Sequence, residues 1–68
     1  MENYLKVNNK IIIVLMAKNN LTVKELCEKA NIFDGTFRNI KKTGNARPTT
    51  VYKLAKALDV EVEELIEK

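Results

Sequence analysis

Apolar positions recur at helical spacing along most of the chain, and the breaks between them predict five helices, at about 9–18, 22–30, 34–42, 49–58 and 61–67. No sheet is required. In the second helix Val23, Leu26, Cys27 and Ala30 share one face, while Lys24, Glu25, Glu28 and Lys29 take the other. Thr22 precedes it with Glu25 three residues on, the spacing of a capping box that contributes about 1 kcal/mol. Asn31 closes it, because a short amide tolerates the left-handed turn that ends many helices. Ile32 plugs the corner. Phe37 and Ile40 then face inward from the third helix, with Ile32 and Phe33 completing that apolar side. In the fourth, Thr49 after Pro48 is the expected N-cap, and Val51, Leu54, Ala55 and Leu58 form the buried stripe. In the fifth, Val62, Leu65 and Ile66 do the same, and Glu61, Glu63 and Glu64 suit its positive N-terminus.

The first helix departs from this amphipathic pattern. Residues 11–17 are apolar on every face, although so small a domain buries only about half of a helix surface. Ile13 and Val14 therefore need a second cover. Two are available: the segment 4–7 folded back as part of an N-terminal arm (1–7), or a partner subunit, which makes Ile13 and Val14 candidate dimer residues.

The outward face of the third helix is where chemistry concentrates. Asp34, Gly35, Arg38, Asn39 and Lys42 recur at spacings of one and four and so lie together. Gly35 costs a helix about 1 kcal/mol relative to alanine, which is better explained by something approaching closely than by stability. Arg and Asn are the side chains matched to guanine and adenine edges. A solvated face on an ordinary helical bundle is the plain alternative. Charge shifts the balance. Residues 35–58 hold six basic side chains and no acid, and residues 1–58 sum to +7 against −4 for residues 59–68. The basic block, including Arg38, Lys41, Lys42 and Arg47, coincides with the third helix and the loop after it. That loop brings Thr43, Asn45 and Arg47 beside the basic helix end, an arrangement suited to phosphates flanking a groove, though Gly44 and Pro48 would equally serve a plain connector.

Composition narrows the classes. At 68 residues one domain is expected, close to the lower limit for a self-sufficient core. The single cysteine excludes an internal disulfide, and with no histidine there is neither a credible zinc site nor a nucleophile–base pair, so no enzyme, metal or cofactor is expected. No small-molecule ligand is evident. The N-terminus lacks a signal-peptide pattern, and the apolar run at 11–17 is far too short to span a bilayer, so the expected location is cytoplasmic with no membrane partner.

From about Asn8 onward the chain resembles the Xre, or Cro/cI-type, helix-turn-helix regulators. Leu15, Leu21–Thr22, Glu25–Leu26, Asn31–Ile32, Phe37, Ile40, Gly44, Pro48 and the run VYKLAKALDVEVEEL at 51–65 carry the likeness. It implies an all-α, lambda-repressor-like domain of five helices with the helix-turn-helix at helices two and three. It also implies binding to double-stranded DNA as a homodimer on a roughly palindromic operator. By position, base-contacting roles would fall on Phe33 (near a thymine methyl), Asp34, Gly35 and Asn39, with Arg38 adjacent. Phosphate roles would fall on Thr22, Val23, Lys42, Asn45 and Arg47, and Lys41 adds a cation beside them. Val23 offers only its backbone N–H, and Asp34 is repelled by phosphate, so capping the third helix is its other reading. Members commonly pair an Arg late in helix one with a Glu near the end of the recognition helix; Met16 and Lys41 stand there instead. Replacing both partners avoids a lone buried charge, and the Lys41 stem can pack over Met16. The usual dimer of the resemblance uses the C-terminal helices, which adds Leu65 and Ile66 as dimer candidates.

The expected function is a small DNA-binding repressor that acts by occupying its operator. The alternative is a protein-interaction adaptor or antitoxin-like module on the same fold. The absence of acids over residues 35–58 favours nucleic acid.

Overall fold

The computed structural model describes residues 3–67, so residues 1 and 2 of the expected arm lie outside the described residues. The elements run β1 (Leu5–Lys6), α1 (Asn9–Lys18), α2 (Val23–Ala30), α3 (Asp34–Thr43), β2 (Asn45–Ala46), α4 (Pro48–Leu58) and α5 (Val62–Leu65). The fold is all-α apart from one short ladder, and all five expected helices are present. No helix among the described residues is long and apolar enough to cross a membrane.

Local chemistry sets most of the boundaries. The Asn8 side chain accepts from the Ile11 N–H (3.2 Å) and starts α1. Both arms of the capping box at α2 form: the Thr22 N–H donates to Glu25 Oε1 at 2.9 Å, and the Glu25 N–H to Thr22 Oγ1 at 3.1 Å. Asn31 takes the left-handed conformation (φ 59°) that ends α2 and turns the chain toward α3. Gly44 does the same after α3 (φ 77°), donating its N–H to the Ile40 carbonyl at 2.7 Å.

The fourth helix begins earlier than expected. Arg47 is its N-cap and Pro48 its first residue, so Thr49 lies inside the helix. Proline favours that position because its fixed φ suits a helix and its missing N–H would have had no partner there. The fifth helix is shorter than 61–67. Its four residues are opened by the Glu61 N–H donating to Glu64 Oε2 (3.0 Å), and Ile66 is already extended.

Ile66 leaves the helix because it joins the N-terminal segment. Val7 and Ile66 form an antiparallel bridge, flanked by Asn8 N–H to Leu65 O (2.7 Å) and Glu67 N–H to Lys6 O (2.8 Å). On its other side the same segment pairs with the loop after α3. There β1 and β2 run antiparallel with Leu5 opposite Ala46 and Lys6 opposite Asn45, and the Val7 N–H donates to Gly44 O at 2.8 Å. This ladder corrects the expectation that no sheet is required; the segment pairs because both neighbours offer backbone groups that need partners. Residues 4–7 therefore do not fold back over α1. Ile13 and Val14 remain 52 % and 50 % exposed.

Val7, Ile12, Leu26, Phe37, Ile40, Val51, Leu54 and Leu65 are among the most completely buried side chains of one cluster drawn from α1 to α5 and the N-terminal segment. Cys27 is buried in it. Burial, and then the adjacent Asp34 carboxylate, raises its thiol above the ordinary value of 9.0, so it stays neutral and serves as filler.

Candidate nucleic-acid interface

The third helix is anchored on one side only. Phe37 and Ile40 are buried, while Phe33, Asp34, Gly35, Arg38, Asn39, Lys41 and Lys42 are all exposed. Phe33 does not complete the apolar side as expected. It is the backbone N-cap of α3, makes no side-chain cap bond and is 83 % exposed. An aromatic ring in that position gains nothing from the protein's own core.

Asp34 does not cap α3 either. It is the first residue of the helix, and its carboxylate lies close enough to Cys27, across the helix-turn-helix corner, to help raise that thiol after burial. No local pattern signals this contact, since the partners lie seven positions apart on different helices. Gly35 has open space around it: a Cβ added there would meet no atom within 4 Å. No close contact or left-handed backbone among the described residues requires glycine at this position.

The loop after α3 is fixed by Thr43. Its hydroxyl donates to the Asn39 carbonyl (2.9 Å) and accepts from the Asn45 N–H (3.2 Å). Thr43 thus orients the loop and is not left to meet an external anion. Asn45 and Arg47 are exposed and, with Asn39, line one cleft of about 280 Å³. At the start of α2, Thr22 Oγ1 accepts within the capping box and still has its own O–H to donate, and Val23 contributes its backbone N–H at the positive end of the helix.

Val23 and Lys41 belong to a second groove, of about 350 Å³, shared with Asn9, Ile13, Met16 and Phe37. Met16 and Lys41 thus border the same groove, as the resemblance implies. Of the predicted contacts, Asn39, Asn45 and Arg47 fall in the first cleft and Val23 and Lys41 in the second, Phe33, Asp34 and Gly35 stand at the N-terminus of α3, and Thr22, Arg38 and Lys42 line neither cleft. The dimer candidates separate. Leu65 is fully buried in its own core and offers nothing to a partner, Ile66 is half-buried and bridged to Val7, and Ile13 and Val14 are open. The residue missed from the sequence is Tyr4, which lines the cleft of Asn39 and Arg47. Its only sequence signal is the alternation Tyr4, Leu5, Lys6, Val7, which marks a strand without saying where it docks.

No match to this chain was found among curated proteins or among solved structures. The sequence pattern of the Cro/C1-type HTH DNA-binding domain matches residues 12–67, which takes in both helices of the motif, the loop after them and the two closing helices. That family is a DNA-binding and not a catalytic one. The chain belongs to the Cro/C1-type HTH DNA-binding domain family.

Proposed function

We propose that the protein is a sequence-specific transcriptional repressor that occupies a roughly palindromic operator as a homodimer and blocks transcription by occupancy. The observation that carries this reading is the one-sided anchoring of α3: two buried side chains hold it, and its whole opposite face is exposed, basic and free of bulky packing. Asn39 would pair with adenine and Arg38 with guanine. Phe33 would meet a thymine methyl, and Gly35 would let the helix end approach the bases. Asp34 could accept only from a cytosine or adenine amine. Thr22, the Val23 N–H, Lys41, Lys42, Asn45 and Arg47 would hold phosphates on the two flanks and fix the register.

For the dimer, Ile13 and Val14 are the better-supported contact, because Leu65 is consumed by the protomer's own core. Burying each would contribute about 1.5–3 kcal/mol. Sedimentation of Ile13→Lys should give a monomer at concentrations where the unaltered chain is dimeric; an unchanged mass would move the interface elsewhere.

Selection from a pool of random duplexes tests the function as a whole. The recovered sites should share an inverted repeat with half-sites about one helical turn apart. Recovery of no common sequence would remove the sequence-specific reading, and an adaptor role on the same fold would take its place.

A further inference from the structure

We infer that Tyr4 is a DNA-contacting residue, its phenol hydroxyl donating to a backbone phosphate beside the groove that α3 enters. This rests on the DNA-binding reading above and adds a contact from a different part of the chain. The β1–β2 register puts Leu5 opposite Ala46 and Lys6 opposite Asn45, so extending it by one residue brings Tyr4 beside Arg47. Strand alternation turns Leu5 and Val7 toward the core and leaves Tyr4 and Lys6 on the outer face. The result is a cleft in which Tyr4 meets Thr36 and Asn39 of α3, Asn45 and Arg47 of the loop, and Thr50 of α4. Among the described residues no carboxylate lines it. Each of these five side chains carries an N–H or O–H donor besides that of Tyr4, which is the chemistry of an anion site.

Tyr4 is 57 % exposed, and its hydroxyl has no hydrogen-bond partner among the described residues. Tyr52, equally exposed, provides the contrast. It sits on α4 under the Lys56 ammonium, 5.9 Å from the ring centre, and outside this cleft. Tyrosine joins an apolar body to a polar tip, so the ring can close the cleft while the hydroxyl reaches outward. A neutral donor also makes a distinctive prediction. It adds affinity on every sequence without displacing counterions, so it leaves the salt dependence alone.

The test is duplex binding by Tyr4→Phe, followed by fluorescence anisotropy over a range of salt and checked by thermal melts. The variant should melt like the unaltered chain and bind on the order of tenfold more weakly to all duplexes, the loss expected for a hydrogen bond to a charged group. The slope of log affinity against log salt should be unchanged. A second measurement uses the two tyrosines and the absence of tryptophan. In Tyr52→Phe the emission comes from Tyr4 alone, and adding duplex should change it. Binding within twofold of the unaltered chain by Tyr4→Phe, or emission indifferent to DNA, would overturn the Tyr4 contact while leaving the DNA reading in place. Failure of the unaltered chain to bind any duplex at low salt would overturn both.

Discussion

Phe33 and Phe37 stand one helical turn apart, one at the N-cap of α3 and one in its first full turn, and their surroundings are opposite. Phe37 is 1 % exposed and locks α3 onto the core; Phe33 is 83 % exposed and makes no side-chain cap bond. The same division runs along the helix. Ile40 is buried beside Phe37, while Gly35, Arg38, Asn39 and Lys42 share the open side with Phe33. One face of the helix is selected by packing, where volume and shape decide. The other carries side chains that packing cannot explain, including a glycine with empty space around it. Substitutions on the open face should therefore act on binding, and those on the packed face on stability.

Truncating each ring in turn should separate the two faces. Phe37→Ala should destabilise the fold by about 3–5 kcal/mol, a large share of what so small a domain possesses. Phe33→Ala should change stability by no more than about 0.5 kcal/mol yet weaken DNA binding. Chemical denaturation of the two variants decides it; comparable losses of stability would show that Phe33 packs after all. Next in size is Asn39→Ala, expected to cost about 1–3 kcal/mol on the selected operator while non-specific binding stays nearly intact. Equal losses on both would mean that the reading face has been misassigned.

Gly35→Ala sharpens the contrast further, because the two readouts should move in opposite directions. Stability should rise by as much as about 1 kcal/mol, since the added methyl meets no atom of the protein, and DNA affinity should fall. The smallest effect concerns Cys27. Its thiol lies above 9.0 in the fold, first through burial and then through the Asp34 carboxylate. The stability gained from keeping it neutral is therefore complete below pH 9 and declines as pH rises through its raised folded value. Melting curves of Cys27→Ala should lack that part of the alkaline decline.

Features set by neighbours in the chain were legible in the sequence. The capping box of Thr22 and Glu25, the left-handed Asn31 and the inward pair Phe37 and Ile40 each depend on residues within one or two turns. What escaped depends on distant partners. Residues 4–7 alternate as a strand does, but no local signal says that they dock between the loop at 44–46 and the chain at 65–67. Ile66 is pulled out of a helix by that same docking, which overrides its helical spacing. The site divides likewise. Spacing alone put Arg38, Asn39 and Lys42 on one face, whereas Tyr4 enters the cleft only through the β1–β2 register, and Asp34 meets Cys27 only because the helix-turn-helix corner brings them together.

The open, basic side of α3 and its flanking loops should meet the phosphates of duplex DNA, and the salt dependence of binding tests this most directly. With roughly five phosphates neutralised in a dimer, or more, log affinity should fall against log salt with a slope of about −4 or steeper. Arg47→Ala should flatten that slope by about 1 for each phosphate it no longer neutralises. A flat response, or no binding to any duplex at low salt, would contradict the account.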